Sequence, residues 1–261
     1  LRQGHMELHY QPIVRIDTQA LVGAEALLRW KHPAKGYIPP DVFIPVAEQN
    51  GMIGKLTEWV LERGMADWAA RSQSFSHPLV LSFNLSAALF VARDHVEHVL
   101  LHLRKSSLAS QQLLTVEITE SLKLSDNEEY VGYLRSLRND GCCIAIDDFG
   151  TGYSSLSYLA HMPVDVLKID RSFVRDIATN PSCAAMIRAM LQMADALGLE
   201  TVAEGVETAE QLAFLQSNGC TYAQGYLFSQ PLNVEAIAAL LSQTPELSQF
   251  QSLGKQRSSA R

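Results

Sequence analysis

Cys143-Ile-Ala-Ile-Asp-Asp-Phe-Gly-Thr-Gly-Tyr-Ser-Ser155 begins as a short apolar strand and ends in two adjacent acids and a glycine turn. Ile144, Ala145 and Ile146 have the unbroken apolar character of a strand buried on both faces. Asp147 and Asp148 stand at its end, and Gly150-Thr-Gly152 turns the chain. Two carboxylates at the end of a buried strand repel each other and lose hydration, so they need a compensating positive charge. Divalent hard cations, which take oxygen ligands, supply that charge most often.

Outward from this strand, apolar runs of strand length alternate with segments of helical periodicity. Strands are expected at His9–Ile16, Leu21–Trp30, Leu79–Leu85, Leu113–Thr119, Val164–Ile169 and Thr201–Ala203, with a short one near Tyr222. Helices are expected at Pro40–Asn50, Ile53–Arg71, Ala92–Lys105, Asn127–Asn139, from Ser154, and at Pro181–Leu197, Ala209–Ser217 and Val234–Leu241. Gly141, Gly198 and Gly219 follow three of these helices and suit left-handed caps. Strands separated by crossover helices make a mainly parallel, helix-covered sheet. About eight such units in roughly 240 residues fit a single α/β domain, a TIM-type (β/α)8 barrel. The first two strands have only a short connection, so the barrel is expected to be modified by one antiparallel strand. The barrel is assigned to residues 1–243, and 244–261 form a polar, disordered tail.

Active sites of such barrels lie at the C-terminal ends of the strands. At or near these ends the chain carries Glu25, Asn84, Glu117, Asp147 with Asp148, Lys168, Glu204 and Gln224. Any one alone reads as a satisfied buried polar group. Together they place several acids, two amides and one lysine in one bowl, which is electrostatically untenable without cations. Oxygen ligands without His or Cys select Mg2+, Mn2+ or Ca2+ over zinc or copper. A carboxylate shared by two ions about 3.5–4 Å apart suits phosphodiester cleavage, and Asp147 is the natural bridge. Lys168 could hold a metal-bound hydroxide, or act as a base if its pKa falls. The same parts also fit an enolase-like proton abstraction, and the spacing alone does not separate the two.

Composition narrows the field. The 261 residues are 47% hydrophobic and 19% charged, which suits a soluble globular domain with a sizeable core. A net charge of −7 argues against a DNA-binding surface. Cys142, Cys143, Cys183 and Cys220 show no C-x-x-C or zinc-finger spacing and read as reduced thiols in a cytoplasmic setting. No apolar run spans a membrane, so no direct membrane insertion of this segment is expected. The first residue is Leu, which suggests a piece of a longer polypeptide whose other parts could include a membrane anchor.

E-A-L at Glu25–Leu27, D-D-F-G-T-G-Y-S-S at Asp147–Ser155, K-I-D at Lys168–Asp170 and A-E-G-V-E at Ala203–Glu207 resemble the EAL-domain cyclic di-GMP phosphodiesterases. H-Y-Q-P-I-V at His9, F-I-P-V-A-E at Phe43, F-N-L-S at Phe83 and A-Q-G-Y at Ala223 support the match, which covers roughly residues 5–243. The resemblance implies a barrel with one antiparallel strand. It also implies hydrolysis of one phosphodiester bond of cyclic di-GMP to linear 5'-pGpG with Mg2+ or Mn2+, inhibited by Ca2+. Carried over by position, Glu25, Asn84, Glu117 and Asp147 bind the first metal, and Asp147, Asp148 and Glu204 hold the second. Lys168 positions the attacking water, with Glu204 either ligand or general base. Gln11, Arg29, Asp170, Glu207 and Gln224 match positions that contact substrate or support the site, and Glu120 matches the brace of the loop after Asp148. The resemblance further implies a homodimer, fused upstream to a sensor, GGDEF or membrane domain.

Every catalytic position of the pattern is intact, which favours an enzyme over a silent cyclic di-GMP receptor. A metal-dependent lyase or isomerase on the same barrel is the third reading. D-F-G at Asp148–Gly150 also occurs in protein kinases, but no H-R-D motif or glycine-rich nucleotide loop accompanies it. His95, His98 and His102 share helical spacing but read as a solvated face. Trp59 and Trp68 read as core or interface residues, whereas Trp30 follows Arg29 at the mouth of the bowl and is a candidate for contact there.

Overall fold

Alternating inward and outward side chains on each strand build the molecule as two concentric layers. The computed structural model describes residues 4–71, 75, 78–91, 93–111, 113–119, 128–152, 159 and 161–242. Strands β1 (Met6–Arg15) and β2 (Leu21–His32) form a long antiparallel hairpin that pairs Gln11 with Glu25. The three-residue β3 (Gly36–Ile38) adds to the far end of β2. Parallel strands follow: β4 (Val80–Leu85), β5 (Leu114–Thr119), β6 (Cys143–Phe149), β7 (Val166–Ile169), β8 (Glu200–Ala203) and β9 (Tyr222–Ala223). The order β1-β9-β8-β7-β6-β5-β4-β2, with β2 pairing back to β1, closes an eight-stranded barrel, and β3 lies outside the ring. β1 is antiparallel to both neighbours, so the single reversed strand is the first one.

Around the ring lie α1 (Pro40–Gln49), α2 (Ile53–Ala69), α3 (Arg93–Arg104), α4 (Ser107–Ser110), α5 (Glu128–Asn139), α6 (Arg171–Arg175), α7 (Pro181–Ala196), α8 (Ala209–Ser217) and α9 (Val234–Ser242). Their starts are chemically specified. Asn180 accepts from the Ser182 backbone N–H ahead of α7, which has Pro181 in its first turn, and Thr208 with Gln211 forms a complete capping box on α8. Gly141 ends α5 with φ +95° and Gly198 ends α7 with φ +68°, the left-handed caps expected from sequence.

β6 shows the layering. Ile144 and Ile146 point outward into the main core with Leu134, Leu137 and Ile187 beneath the helices. Ala145 points inward and packs with Val166 and Val202 in a separate cluster inside the barrel. This period of two is the property of any strand. In a closed barrel it delivers Cys143, Ala145 and Asp147 to one inner column.

The expected elements are present where the structure describes the chain, with ends shifted by at most three residues, the largest shift being the start of β1 at Met6 instead of His9. β3, the 3-10 turn at Ala87–Val91, α4 and α6 were not expected, because pieces this short carry no measurable periodicity. The expected helix from Ser154 and the tail at 244–261 lie outside the described residues. No described helix is long and apolar enough to cross a membrane. The four cysteines are free thiols. Trp30 does not face the bowl as a free ring: it packs edge-on against Phe43, centroids 5.6 Å apart, in a satellite core with Ile53 and Leu56. Trp68 is buried, its indole N–H donating to the Leu79 carbonyl. His95 and His98 lie 3.2 and 3.5 Å from Glu58, and His102 lies 3.4 Å from Glu62, forming a polar seam between α2 and α3.

Candidate active site

β2, β5, β6 and β7 contribute Glu25, Glu117, Asp147 and Lys168, Glu204 follows the end of β8, and Lys168 is at the centre. Its Nζ lies 2.5 Å from Glu117, 2.6 Å from Glu204, 3.1 Å from Asp147 and 3.6 Å from Glu25. The lysine side chain is 1% exposed and that of Glu117 2%. Four carboxylates therefore face one ammonium in a water-poor space, where each charge interacts far more strongly than on a surface.

The titration shifts follow from that crowding. Burial works against the Lys168 ammonium, but Glu117, Glu204, Glu25 and Asp147 more than offset it and hold the lysine well above its ordinary range. The four acids around it thus favour the charged form of Lys168. Burial, followed by repulsion from Glu25, raises Glu117 well above the usual carboxylate range. Burial, with Asp147 and Glu25 adding repulsion, pushes Glu204 up to about 8. Burial also opposes the Glu25 charge, yet Lys168 and the Gln224 and Asn84 amides hold that acid below its usual value.

Amides fix the direction of Glu25. Asn84 Nδ2 donates to Glu25 Oε1 at 2.6 Å, and Gln224 Nε2 donates to Glu25 Oε2 at 2.7 Å. Gln224 also donates to Gln11 Oε1 at 3.0 Å, and Gln11 Nε2 donates to the Ser229 carbonyl at 3.2 Å. Gln224 Oε1 is buried and has no hydrogen-bond partner among the described residues. Ser86, two residues past Asn84, donates to Glu48 Oε1 at 2.5 Å, so α1 braces the chain just beyond β4, the strand that carries Asn84.

Asp147 and Asp148 pose a geometric problem, since neighbours on a regular strand point to opposite faces. The chain solves it with a kink. Asp148 has φ +55°, its N–H donates to Asp147 Oδ1 at 3.0 Å, and the β6–β7 register slips between Ile146 and Phe149. Asp tolerates this left-handed conformation better than most residues, and the bulge re-aims a side chain that would otherwise leave the site. As a result, carboxylate oxygens of Asp147, Asp148 and Glu204 lie within 4.8 Å of one another. Burial, then Asp147 and Asp170, raise the Asp148 pKa. A divalent cation fits this donor set: three converging hard oxygens, with surplus negative charge that the lysine alone does not balance.

The remaining expected residues are placed more peripherally. Arg29 lines a recess of about 330 Å³ with His9, Tyr37, Ile38, Pro39 and Pro40 at the rim, and burial lowers its pKa. Its Nη1 donates to the Leu28 carbonyl at 2.9 Å. Asp170 caps α6 by accepting from the Ser172 N–H at 3.0 Å, so its visible role is structural. Glu207 has an exposed side chain, and its backbone N–H donates to Gln211 at 2.7 Å. Glu120 lies outside the described residues. Sequence reading missed His9 and Tyr37 as recess-lining residues and the Ser229 carbonyl as the anchor of Gln11. None of these sits at the C-terminal end of an expected strand, so the strand-end rule passes over them.

The family model described as EAL domain matches residues 1–231. The chain is 42% identical over 241 residues to the cyclic di-GMP phosphodiesterase NbdA of Pseudomonas aeruginosa, covering 92% of this chain and 31% of that protein. It spans about a third of the length of such curated relatives. Among solved structures, PaMucR phosphodiesterase in complex with c-di-GMP superposes with a TM-score of 0.84 at 38% identity, over 90% of this chain and 95% of that one. The EAL enzyme Bd1971, in its cAMP- and cyclic-di-GMP-bound form, gives a TM-score of 0.86 at 33% identity, over 92% of this chain and 65% of that one.

Proposed function

This chain belongs to the EAL domain family, and from that membership we propose that it hydrolyses one phosphodiester bond of cyclic di-GMP, releasing linear 5'-pGpG. The observation that carries the reading is the Lys168 cluster, in which Glu25, Glu117, Asp147 and Glu204 surround one ammonium and Asn84 binds Glu25. A pure binding site for an anionic nucleotide has no need of four buried carboxylates beside its ligand.

Bound Mg2+ or Mn2+ would polarise a phosphate oxygen and lower the pKa of a water molecule. In this reading Glu25, Asn84, Glu117 and Asp147 hold one ion, and Asp147, Asp148 and Glu204 a second. Gln224 and Asn84 keep the Glu25 carboxylate turned into the bowl. Lys168, charged at neutral pH, donates a hydrogen bond to the attacking water and sets its direction. Glu204 is either a ligand of the second ion or the base that receives the proton at a carboxylate oxygen, according to how many ions are bound. Arg29 and Gln11 contact the nucleotide at the rim, and Asp170 and Glu207 support the loops around it. The same proposal includes a homodimer, a cytoplasmic location and attachment to a sensor, GGDEF or membrane domain.

The test is incubation with cyclic di-GMP and Mg2+ or Mn2+, with metal and protein concentration varied together and the products separated by chromatography. Formation of pGpG, inhibited by Ca2+, is expected. Tight nucleotide binding without turnover at any metal concentration would replace the hydrolase with a receptor, and turnover of a carboxylate substrate with indifference to cyclic di-GMP would replace it with a lyase or isomerase.

A further inference from the structure

Barrels of this type normally fill their interior with layers of branched apolar side chains. Here the layer directly beneath the acids is Gly23, Ser82, Thr115 and Ala145 on the four consecutive ring strands β2, β4, β5 and β6. Gly23 cannot be replaced by anything larger, because a Cβ there would lie 2.3 Å from the Val80 carbonyl oxygen. The opposite half of the same layer is ordinary, with Ile13, Val166 and Val202. The missing side-chain volume is a cavity of about 200 Å³. Lys168 and Glu117 form its ceiling, and Cys143, Glu200 and Tyr222, at the first residues of their strands, form its lower wall. The Tyr222 hydroxyl donates to the exposed Glu200 at 3.0 Å and Arg15 lies over the half-buried Tyr222 ring, which puts these side chains at the N-terminal face.

We propose that this cavity is a second ligand site, entered from the N-terminal face, for a neutral ring-sized molecule bearing one hydroxyl. The size fits, since an apolar cavity of about 150 Å³ is known to hold benzene. Walls of Ile13, Val166, Val202 and Ala145 reward an apolar body, while the Ser82 and Thr115 hydroxyls offer partners to one polar group. An ion of either sign is disfavoured, because the apolar walls leave it poorly solvated. A molecule seated here touches Lys168 and Glu117 from the side opposite to the strand-end bowl.

Phenol is the probe, with the full chain labelled at Ile and Val methyl groups and at the lysine side chains and followed by NMR. Saturable shifts of Ile13, Val166, Val202 and the Lys168 ε-methylene are expected. They should vanish in Ala145→Leu, which fills the cavity, with Thr115→Ile as the substitute if that variant fails to fold. Benzenesulfonate and benzylammonium should produce no such shifts. Absence of saturable shifts with phenol, shifts confined to surface residues, shifts that persist in the folded filled variant, or equal binding of the charged analogues would each overturn the proposal.

Discussion

Lys168→Met removes the positive charge at the centre of the site while keeping most of the side-chain volume. Its Nζ contacts carboxylates at distances from 2.5 to 3.6 Å. With an effective dielectric near 20, single contacts at those distances are worth about 5–7 kcal/mol each before desolvation is subtracted. Desolvation of a fully buried ammonium and its partners cancels most of that. The net cost of removing one partner of a buried pair is about 3–5 kcal/mol. At about 2–4 °C per kcal/mol for a domain of this size, the metal-free variant should melt about 6–20 °C below wild type. The sign of the pH dependence follows from the shifts. Lys168 is held above its ordinary value, so its contribution is fully present at neutral pH and is lost only as pH rises through the folded-state value. The acids behave in the opposite sense: without the lysine they are relieved by protonation, so the deficit should be small at pH 5 and largest near pH 8. Calorimetric melts of chelator-treated wild type and Lys168→Met at both pH values, repeated with saturating Mg2+, measure this. Equal melting at pH 8, or a deficit unchanged by pH and metal, would mean that Lys168 acts through packing rather than charge.

Three further outcomes follow from the same geometry. Glu25→Gln should lower the rate of pGpG formation at least about 10²- to 10³-fold, with an unchanged circular dichroism spectrum, because the side chain keeps its shape and loses its charge. Stabilisation by Mg2+, read as the difference in melting temperature between metal-loaded and chelator-treated protein, should grow from pH 6 to pH 8. Glu204 is raised to about 8, so the metal-free fold loses stability as pH rises from the ordinary carboxylate value toward 8, and a cation removes that penalty. Gly225→Ala would put a Cβ 2.1 Å from the Val206 carbonyl oxygen and 2.3 Å from its nitrogen. It should cost about 1–3 kcal/mol in a denaturant melt and, by shifting the adjacent Gln224, lower turnover as well.

The strand-end acids were legible because a barrel imposes one rule on every strand. Period two sends alternate residues inward, and parallel direction brings the C-terminal ends together, so Glu25, Asn84, Glu117, Asp147, Lys168, Glu204 and Gln224 could be collected without knowing any contact. What the sequence did not carry is whatever depends on geometry between strands distant in the chain. The left-handed turn at Asp148 that brings its carboxylate beside Asp147 leaves no compositional trace, since the residue is not glycine. The upward shift of Lys168 depends on the acids of four other strands and not on its own neighbours in the chain. Asp170 caps a helix and Glu207 has an exposed side chain, local settings that the spacing of the motifs does not convey.

The charge inventory also bears on how many cations the bowl is built for. Fully ionised, Glu25, Glu117, Asp147, Asp148 and Glu204 carry five negative charges against the single positive charge of Lys168. Without metal the protein meets the excess by taking up protons, and the raised values of Glu117, Glu204 and Asp148 express that. One divalent ion leaves a net charge of about minus two in a low-dielectric space, and two ions bring it near zero. Each ion bound must therefore release protons from these acids, and the second more readily placed at higher pH. In the proposed reading, two cations would therefore balance the charge that Lys168 alone leaves uncompensated.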